Sequence, residues 1–224
     1  MNHQKLTLNR DSQSEELNSL YSVIKDHIPK RVKDQKNRNH SWQYGYNDQY
    51  DVVILSKTGR IGDIYNINGV NIALPDVPKN CHSRSTKSSE QYWQREDIPK
   101  QLGRIQSIFQ WHEMPKEFKA QYVDYIEQEF DRREQGCWFM NNGTPTYMTG
   151  SHYMYLQWSK IDVGYPDFRE ANRIFFIYWE SCKADYRSFG MVYLKIRRSG
   201  FSFMSSSECV NIATLAKDSR VRIL

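Results

Sequence analysis

The sequence of 224 residues predicts a mixed α/β protein in three consecutive parts. We expect a polar helical arm over 1–48, a small antiparallel β-meander with a helical region over 49–148, and the start of a parallel sheet over 149–224. Three observations predict this fold class. They are a helical period near the N-terminus, three β-rich runs separated by turn sequences, and a strand–turn–helix–strand alternation after residue 189.

Composition and charge narrow the functional classes. Hydrophobic residues make up 39% of the chain, which is enough for a core, and the net charge of +5 favours an anionic partner such as nucleic acid. The four cysteines are widely separated, which is typical of reduced intracellular thiols and suggests no zinc site. The N-terminus lacks the apolar core of a signal peptide, and the longest apolar run, 174–179, is too short to span a bilayer. We therefore expect a cytoplasmic protein.

The arm contains one amphipathic stretch followed by a basic run. Apolar residues at helical spacing predict a helix there, and they are Leu17, Leu20, Val23 and Ile24. The basic run after it, PKRVKDQKNRNH, is more typical of a solvated arm than of a binding site.

The region 50–75 is rich in residues that favour β-strands. Its three runs are separated by KTGR and NING, which are turn sequences, and they predict an antiparallel meander. Residues 76–100 are rich in Ser, Lys and Pro and indicate a connecting segment. Cys81 and His82 lie in this segment without further ligands at metal-binding spacing, so we interpret them as loop residues.

A helix is predicted over 115–134. Pro115 suits its first turn and Gly136 its C-terminal end. An aromatic and aliphatic stripe at four-residue spacing is expected to face the core, and consists of Phe118, Tyr122, Ile126 and Phe130.

Two further elements are predicted before residue 185. The sequence NNGTP between aromatic-rich runs indicates a hairpin, and another element begins near His152. We interpret His152 as a packed or capping residue and not as a base. A second helix is predicted over 169–184, with Asp167 as its N-cap.

The C-terminal part reads as a βαβ unit. GMVYLKI has the pattern of a buried strand, RRSG that of a turn, FSFMSSSECVNIATLAK that of a helix, and SRVRIL that of a second strand. A βαβ unit implies a parallel sheet covered by helices.

The turn of this unit partly fits a phosphate-binding loop. The standard Walker A pattern is G-x-x-x-x-G-K-[ST] between a strand and a helix. Gly200 and Ser202 fit the pattern, whereas Lys195 stands at the first glycine and Phe201 at the lysine. Because phosphate requires a cation at no fixed residue number, basic residues within one turn can replace that lysine. The competing interpretation is a basic surface turn.

This arrangement resembles the ATPase domain of bacteriophage terminase large subunits, in which basic residues precede a glycine, an apolar residue and a Ser or Thr. The segments TGSHYMYLQWSKIDVGYPDFREANRIFFIYWE and FGMVYLKIRRSGFSFMSSSE look like the entry to that domain. YGYNDQYDVVILSKTGRIGDIYNINGVNIALP is similar to the N-terminal segment of large terminases from crAss-like phages. The resemblance covers most of 40–224.

The resemblance implies an ATP site with Mg²⁺ at this loop. Backbone amides around Gly200 would surround the phosphates, basic side chains would supply charge, and the Ser202 hydroxyl would bind Mg²⁺. The implied phosphate-binding residues are Lys195, Arg197, Arg198, Ser199, Gly200, Phe201 and Ser202. The sequence does not say which basic residue replaces the lysine.

The resemblance also implies an adenine-binding segment at YPDFR, before the helix over 169–184. Tyr165 or Phe168 would stack on the base, and Arg169 would reach the nucleotide. The alternative is that the two aromatic side chains simply pack against the helix.

A hydrolytic site needs a further strand that ends in acidic residues. After Ser202 the only acids are Glu208, inside the predicted helix, and Asp218, before the predicted strand, and neither suits that role. We therefore interpret the chain as an amino-terminal portion of a large terminase, with a nuclease domain expected downstream. On its own it is expected to bind nucleotide poorly and not to hydrolyse it.

The family implies the partners and location of the intact motor. These are double-stranded DNA, the portal protein, the small terminase subunit and further copies in a homo-oligomeric ring at the prohead portal in the host cytoplasm. Two alternatives remain. One is a non-enzymatic nucleic-acid-binding module that uses the same basic residues, and the other is a structural protein in which Arg197 and Arg198 form a solvated turn. Ser202 after Gly200 favours the nucleotide site, because neither alternative requires it.

Overall fold

The computed structural model describes residues 30–31, 42–79, 81, 93–195, 197 and 199–222. These residues form a mixed α/β structure with a five-stranded sheet, a two-stranded hairpin and six helices. The predicted α/β class is confirmed. The predicted helix of the arm, with Leu17 and Ile24, lies outside the described residues, as does His82.

The elements follow one another in chain order. The strands are β1 (Lys30–Arg31), β2 (Gly45–Asn47), β3 (Val52–Ile54), β4 (Ile61–Ile67), β5 (Val70–Pro75), β6 (Cys137–Asn141) and β7 (Thr144–Met148). The helices are α1 (Ile108–Glu113), α2 (Lys116–Ala120), α3 (Val123–Gln135), α4 (Gly150–Gln157), α5 (Glu170–Ala184) and α6 (Phe201–Leu215), with a 3-10 turn at Leu102–Arg104. Among the described residues, no helix is both long and apolar enough to cross a bilayer.

The larger sheet is mixed, with strand order β1-β4-β5-β3-β2. The hairpin of β4 and β5 turns at Asn68 and Gly69, both with positive φ, as the NING sequence predicts. However, β3 pairs in parallel with β5 and not with β4, so the prediction of a purely antiparallel meander is wrong. The physical reason is burial, because Val52, Val53 and Ile54 are all buried and therefore need an inner position in the sheet.

The sheet buries apolar side chains on both faces. On one face, Val53 and Ile72 pack with Tyr147 of the hairpin and Ile177 of α5. On the other face, a second cluster contains Trp42, Val52, Ile54, Ile64 and Ala73. A third cluster joins the helices through Met148, Tyr153, Tyr155, Leu156, Phe175, Phe176 and Met204. The sheet therefore supports α5, and α5 in turn supports α4 and α6.

The helix predicted over 115–134 is divided into α2 and α3. Pro115 immediately precedes α2, and Gly136 ends α3 at a φ of 78°, so both predicted ends are confirmed. The aromatic stripe is not the buried face, because Phe130 is 44% exposed. The buried residue of α3 is instead Glu129, which accepts hydrogen bonds from Tyr153 and Trp158. The predicted buried stripe is wrong because the prediction assumed one continuous helix, whereas the helix is interrupted at 121–122.

The elements around residue 150 are close to expectation. Strands β6 and β7 form the predicted hairpin, with the turn at Asn142 and Gly143. Helix α4 begins at Gly150 and is capped by the Thr149 hydroxyl, which accepts from the His152 amide at 3.3 Å. Helix α5 is also found, but its N-cap position is occupied by Arg169 and not by Asp167. The carboxylate of Asp167 is thus two residues too early to accept from the first amides.

The βαβ unit is only partly present. Its helix is confirmed as α6, but neither 190–195 nor 219–222 forms a strand in the described part of the chain. Val192 and Leu194 are each 91% exposed, although their sequence pattern is that of a buried strand. A strand needs a paired neighbour, and this segment has none among the described residues, so these residues form no parallel P-loop sheet.

Candidate anion-binding site at the start of helix α6

The first feature of the site is the backbone at Gly200. Gly200 has φ 78° and ψ 5°, a left-handed conformation that residues with a Cβ atom rarely adopt, and α6 begins directly after it. Its carbonyl accepts from the amides of Phe203 and Met204 at 3.1 and 3.2 Å. The preceding amides of Phe201 and Ser202 have no acceptor within the helix, because the first turn of any helix lacks them. These amides and the helix dipole together favour an anion at this end.

Two hydroxyl groups lie beside this backbone. The Ser199 hydroxyl oxygen is buried and has no hydrogen-bond partner among the described residues. The Tyr155 hydroxyl of α4 lies 3.9 Å from the position that a Cβ atom on Gly200 would take. Tyr155 itself is only 4% exposed. The loop therefore offers the hydroxyl groups of Ser199 and Tyr155 as well as the backbone amides at the start of α6.

Phe201 stands where a Walker A loop has its lysine, and in this structure it is a packing residue. Its ring stacks on Tyr193 at a centroid distance of 5.2 Å and meets the edge of Phe175 at 5.6 Å. The ammonium group of Lys195 lies 5.9 Å from the centre of the same ring. Phe201 thus holds the first turn of α6 against α5, while a cation remains beside the loop.

The loop carries exposed basic residues. Lys195 and Arg197 are exposed, whereas Arg198 lies outside the described residues. Arg169, at the N-cap position of α5, is also exposed. Burial raises the pKa of the Tyr155 phenol, and the positive charge of Arg169 opposes this rise. The exposed Ser202 follows Gly200 in the first turn of α6, so its hydroxyl is open to a ligand.

The two aromatic adenine candidates have other contacts. The Arg95 guanidinium lies 3.9 Å above the ring of Tyr165. Phe168 lies between the rings of Phe139 at 5.0 Å and His152 at 5.5 Å. No contact between either ring and the loop is found among the described residues. Phe168 therefore helps to build the core, and a role of either residue in adenine binding stays a prediction.

A buried ion-pair cluster lies farther along α6. Glu208 accepts from Lys183 at 2.6 Å and from the indole of Trp179 at 3.0 Å. Lys183 also binds Glu180 at 2.9 Å, and Glu180 accepts from the hydroxyl of Ser151. Burial lowers the pKa of Lys183, but the two carboxylates outweigh this and raise it overall. Glu208 is thus a structural anchor, consistent with its exclusion as a hydrolytic acid.

Tyr155 is the site residue that sequence reasoning missed. It is separated from Gly200 by 45 residues (200 − 155) and lies in a helix whose residues are all buried, so no local pattern signals its position. In the described part of the chain, no group of three or more His, Cys, Asp or Glu side chains could hold a metal ion. Comparison of the chain with protein-family models, curated proteins and solved structures finds no match. The geometry alone supports binding of a phosphate-like anion.

Proposed function

We propose that this chain is an amino-terminal portion of a bacteriophage terminase large subunit, whose ATPase domain drives double-stranded DNA into the prohead. The observation that carries the proposal is the left-handed Gly200 at the start of α6, with basic residues before it and Ser202 after it. A phosphate-binding loop needs this combination of a sharp turn, inward amides, a cation and a hydroxyl. The resemblance of the surrounding sequence to large terminases supports the same function.

The proposal assigns ATP and Mg²⁺ to this loop. The amides of Phe201 and Ser202 would bind phosphate oxygens, and Lys195 and Arg197 would neutralise their charge, together with Arg198 of the same loop. The buried Ser199 hydroxyl, which lacks a partner among the described residues, could donate to a further phosphate oxygen. Ser202 would hold Mg²⁺, which supplies positive charge to the phosphates when bound.

The exposed segment 189–195 supports the fragment interpretation. Phe189, Val192 and Leu194 are almost fully exposed, whereas Tyr193 between them packs on Phe175 and Phe201. The alternation of exposed Val192, packed Tyr193 and exposed Leu194 is typical of a strand that lacks its neighbours. We propose that further strands of the intact motor pair with this segment and bring the acidic residues that hydrolysis requires. Hydrolysis is therefore expected only in the intact protein.

The test is a titration of the full chain with ATP and Mg²⁺, monitored by two-dimensional NMR. This method detects binding with dissociation constants in the millimolar range. We expect weak binding that Lys195→Ala and Ser202→Ala each reduce at least tenfold, because each loses a contact with a charged ligand. Lys160→Ala is the matched control, since Lys160 is an exposed lysine outside the loop. Equal affinities of all four proteins would contradict the nucleotide site.

A nucleic-acid-binding module is the second candidate. It is supported by the exposed basic residues near both ends of α6, which include Lys195, Arg197, Lys217, Arg220 and Arg222. Such a module would bind double-stranded DNA with a steep dependence on salt and without any effect of ATP. Measuring DNA affinity at several salt concentrations, with and without ATP, separates it from the motor fragment. The portal protein, the small terminase subunit and a homo-oligomeric ring belong only to the first proposal.

A further inference from the structure

The inference concerns the hydroxyl group of Tyr155. This residue lies on α4, its ring belongs to the helical core cluster, and only 4% of its surface is exposed. The hydroxyl oxygen nevertheless reaches the loop, 3.9 Å from the place of a Cβ atom on Gly200. The side chain of Tyr155, which is distant in sequence, thus places its hydroxyl next to Gly200, the left-handed residue that precedes α6.

The ring alone does not account for a tyrosine at this position. The ring packs in the core, and phenylalanine would fill the same space without placing a polar group beside Gly200. Buried polar groups in folded proteins nearly always have a partner. The hydroxyl of Ser199, next to Gly200, is buried and has no partner among the described residues. One hydroxyl at this helix start therefore lacks a partner, and the Tyr155 hydroxyl lies beside the same residue, Gly200.

The surroundings indicate which acceptor is missing. The amides of Phe201 and Ser202 are donors, and a hydroxyl can also donate. Lys195 lies beside the ring of Phe201, and Arg197 of the same loop is exposed. Backbone donors and cations together fit an anion with several acceptor oxygens, such as a phosphate chain.

We propose that the Tyr155 hydroxyl donates a hydrogen bond to the phosphate chain bound at the start of α6. The proposal rests on the anion site of the proposed function, but it requires neither adenine recognition nor hydrolysis. Tyr155 thereby links the loop to α4 and the helical core, so that the ligand bridges two helices distant in sequence.

The experiment compares inorganic tripolyphosphate and ATP as probes on the full chain by NMR titration. Tyr155→Phe keeps the ring and removes only the hydroxyl, and it is expected to weaken the binding of both probes about tenfold. Tyr125→Phe is the matched control, because the Tyr125 hydroxyl of α3 is also buried and without a partner among the described residues. It should leave both dissociation constants unchanged. Urea unfolding of both variants verifies that each one remains folded.

The outcomes separate the two proposals. A weaker affinity of Tyr155→Phe for tripolyphosphate, with no tighter binding of ATP to the wild type, supports the role of Tyr155 and contradicts a nucleotide site. Wild-type ATP binding that is equal in Tyr155→Phe overturns the role of Tyr155 and leaves the nucleotide site standing. A wild-type chain that binds neither probe overturns both proposals. Equal losses in Tyr155→Phe and Tyr125→Phe would also overturn the specific role of Tyr155.

Discussion

The imidazole of His152 lies nearly parallel to the ring of Phe176, with centroids 4.9 Å apart and an interplanar angle of 19°. The ring of Phe168 also stacks on the imidazole at 5.5 Å, and neither imidazole nitrogen has a hydrogen-bond partner among the described residues. Burial first, and the charge of Arg173 second, lower the pKa of His152 from 6.5 to about 3. The core therefore holds a histidine that must remain neutral.

This arrangement predicts a loss of stability in acid. Below pH 6.5 the unfolded chain binds a proton at His152 that the folded chain does not, so stability is complete above that pH and falls as the pH drops towards 3. The expected contribution is about 1.4 kcal/mol per pH unit in that window. Urea unfolding at several pH values should show this slope in the wild type and a shallower slope in His152→Phe. His112→Gln, at an exposed histidine, should retain the wild-type slope. Parallel slopes in all three proteins would contradict a neutral buried imidazole.

The ion pair of Lys183 and Glu208 predicts an asymmetry between single and double substitutions. Lys183→Met leaves the carboxylate of Glu208 buried without its cation, and we expect it to lower the free energy of unfolding by about 2–4 kcal/mol. Adding Glu208→Gln to this variant should recover part of the loss, because the unpaired charge is then absent. Chemical denaturation of the two single variants and the double variant measures the coupling. Lys160→Met serves as the exposed control, and strictly additive effects would show that the pair is not coupled.

Replacing Gly150 by alanine is predicted to destabilise the protein for steric reasons, although helix propensity favours alanine. Alanine is usually better than glycine in a helix by about 0.5–1 kcal/mol. A Cβ atom on Gly150, however, would lie 2.0 Å from the carbonyl oxygen of Arg133, so α3 and α4 would have to separate. We expect Gly150→Ala to destabilise the protein by more than about 2 kcal/mol in thermal or urea unfolding. Gly103→Ala is the control, because its Cβ would meet only Ile98, at 3.7 Å. A neutral or stabilising Gly150→Ala would show that the helices do not approach this closely.

Phe201 predicts that restoring the usual lysine of the motif is harmful. Phe201→Lys would create the standard Gly-Lys-Ser sequence, but it would remove the ring contacts with Tyr193 and Phe175. We expect a loss of about 1–3 kcal/mol in stability, since the side chain is only partly buried, and no gain in ATP affinity. Phe201→Leu should retain more of the packing and more of the stability. An affinity gain in Phe201→Lys, measured in the NMR titration, would mean that the ring only fills space.

Local sequence chemistry predicted the local structure well. The turns at Asn68–Gly69 and Asn142–Gly143 were predictable because few residue types accept positive φ, and both hairpins were found. Helices α5 and α6 were also found close to their predicted bounds, although the predicted N-cap of α5, Asp167, was wrong. These signals are contained within a few consecutive residues.

The long-range arrangement was not predictable in the same way. The alternating pattern at Val192 and Leu194 indicates a strand, but pairing depends on a neighbour that the local sequence cannot specify. The parallel pairing of β3 with β5 and the approach of Tyr155 to Gly200 join residues far apart in the chain. For the candidate site, the sequence therefore predicted the loop around Gly200 but not the Tyr155 hydroxyl that lies beside it.

The path of the larger sheet also sets an order of assembly. Strand β3 pairs with β5, the second strand of the β4–β5 hairpin. Val53 is paired with Ile72, and the Leu55 amide donates to the carbonyl of Ala73. The β4–β5 hairpin closes a short loop and can form early, whereas β3 has no edge to join until β5 is in place. Strand β2, which among the described residues pairs with β3 alone, must then follow. We expect β2 and β3 to gain protection from hydrogen exchange after the hairpin during refolding, so the first strands of this sheet after residue 42 are among the last to become ordered.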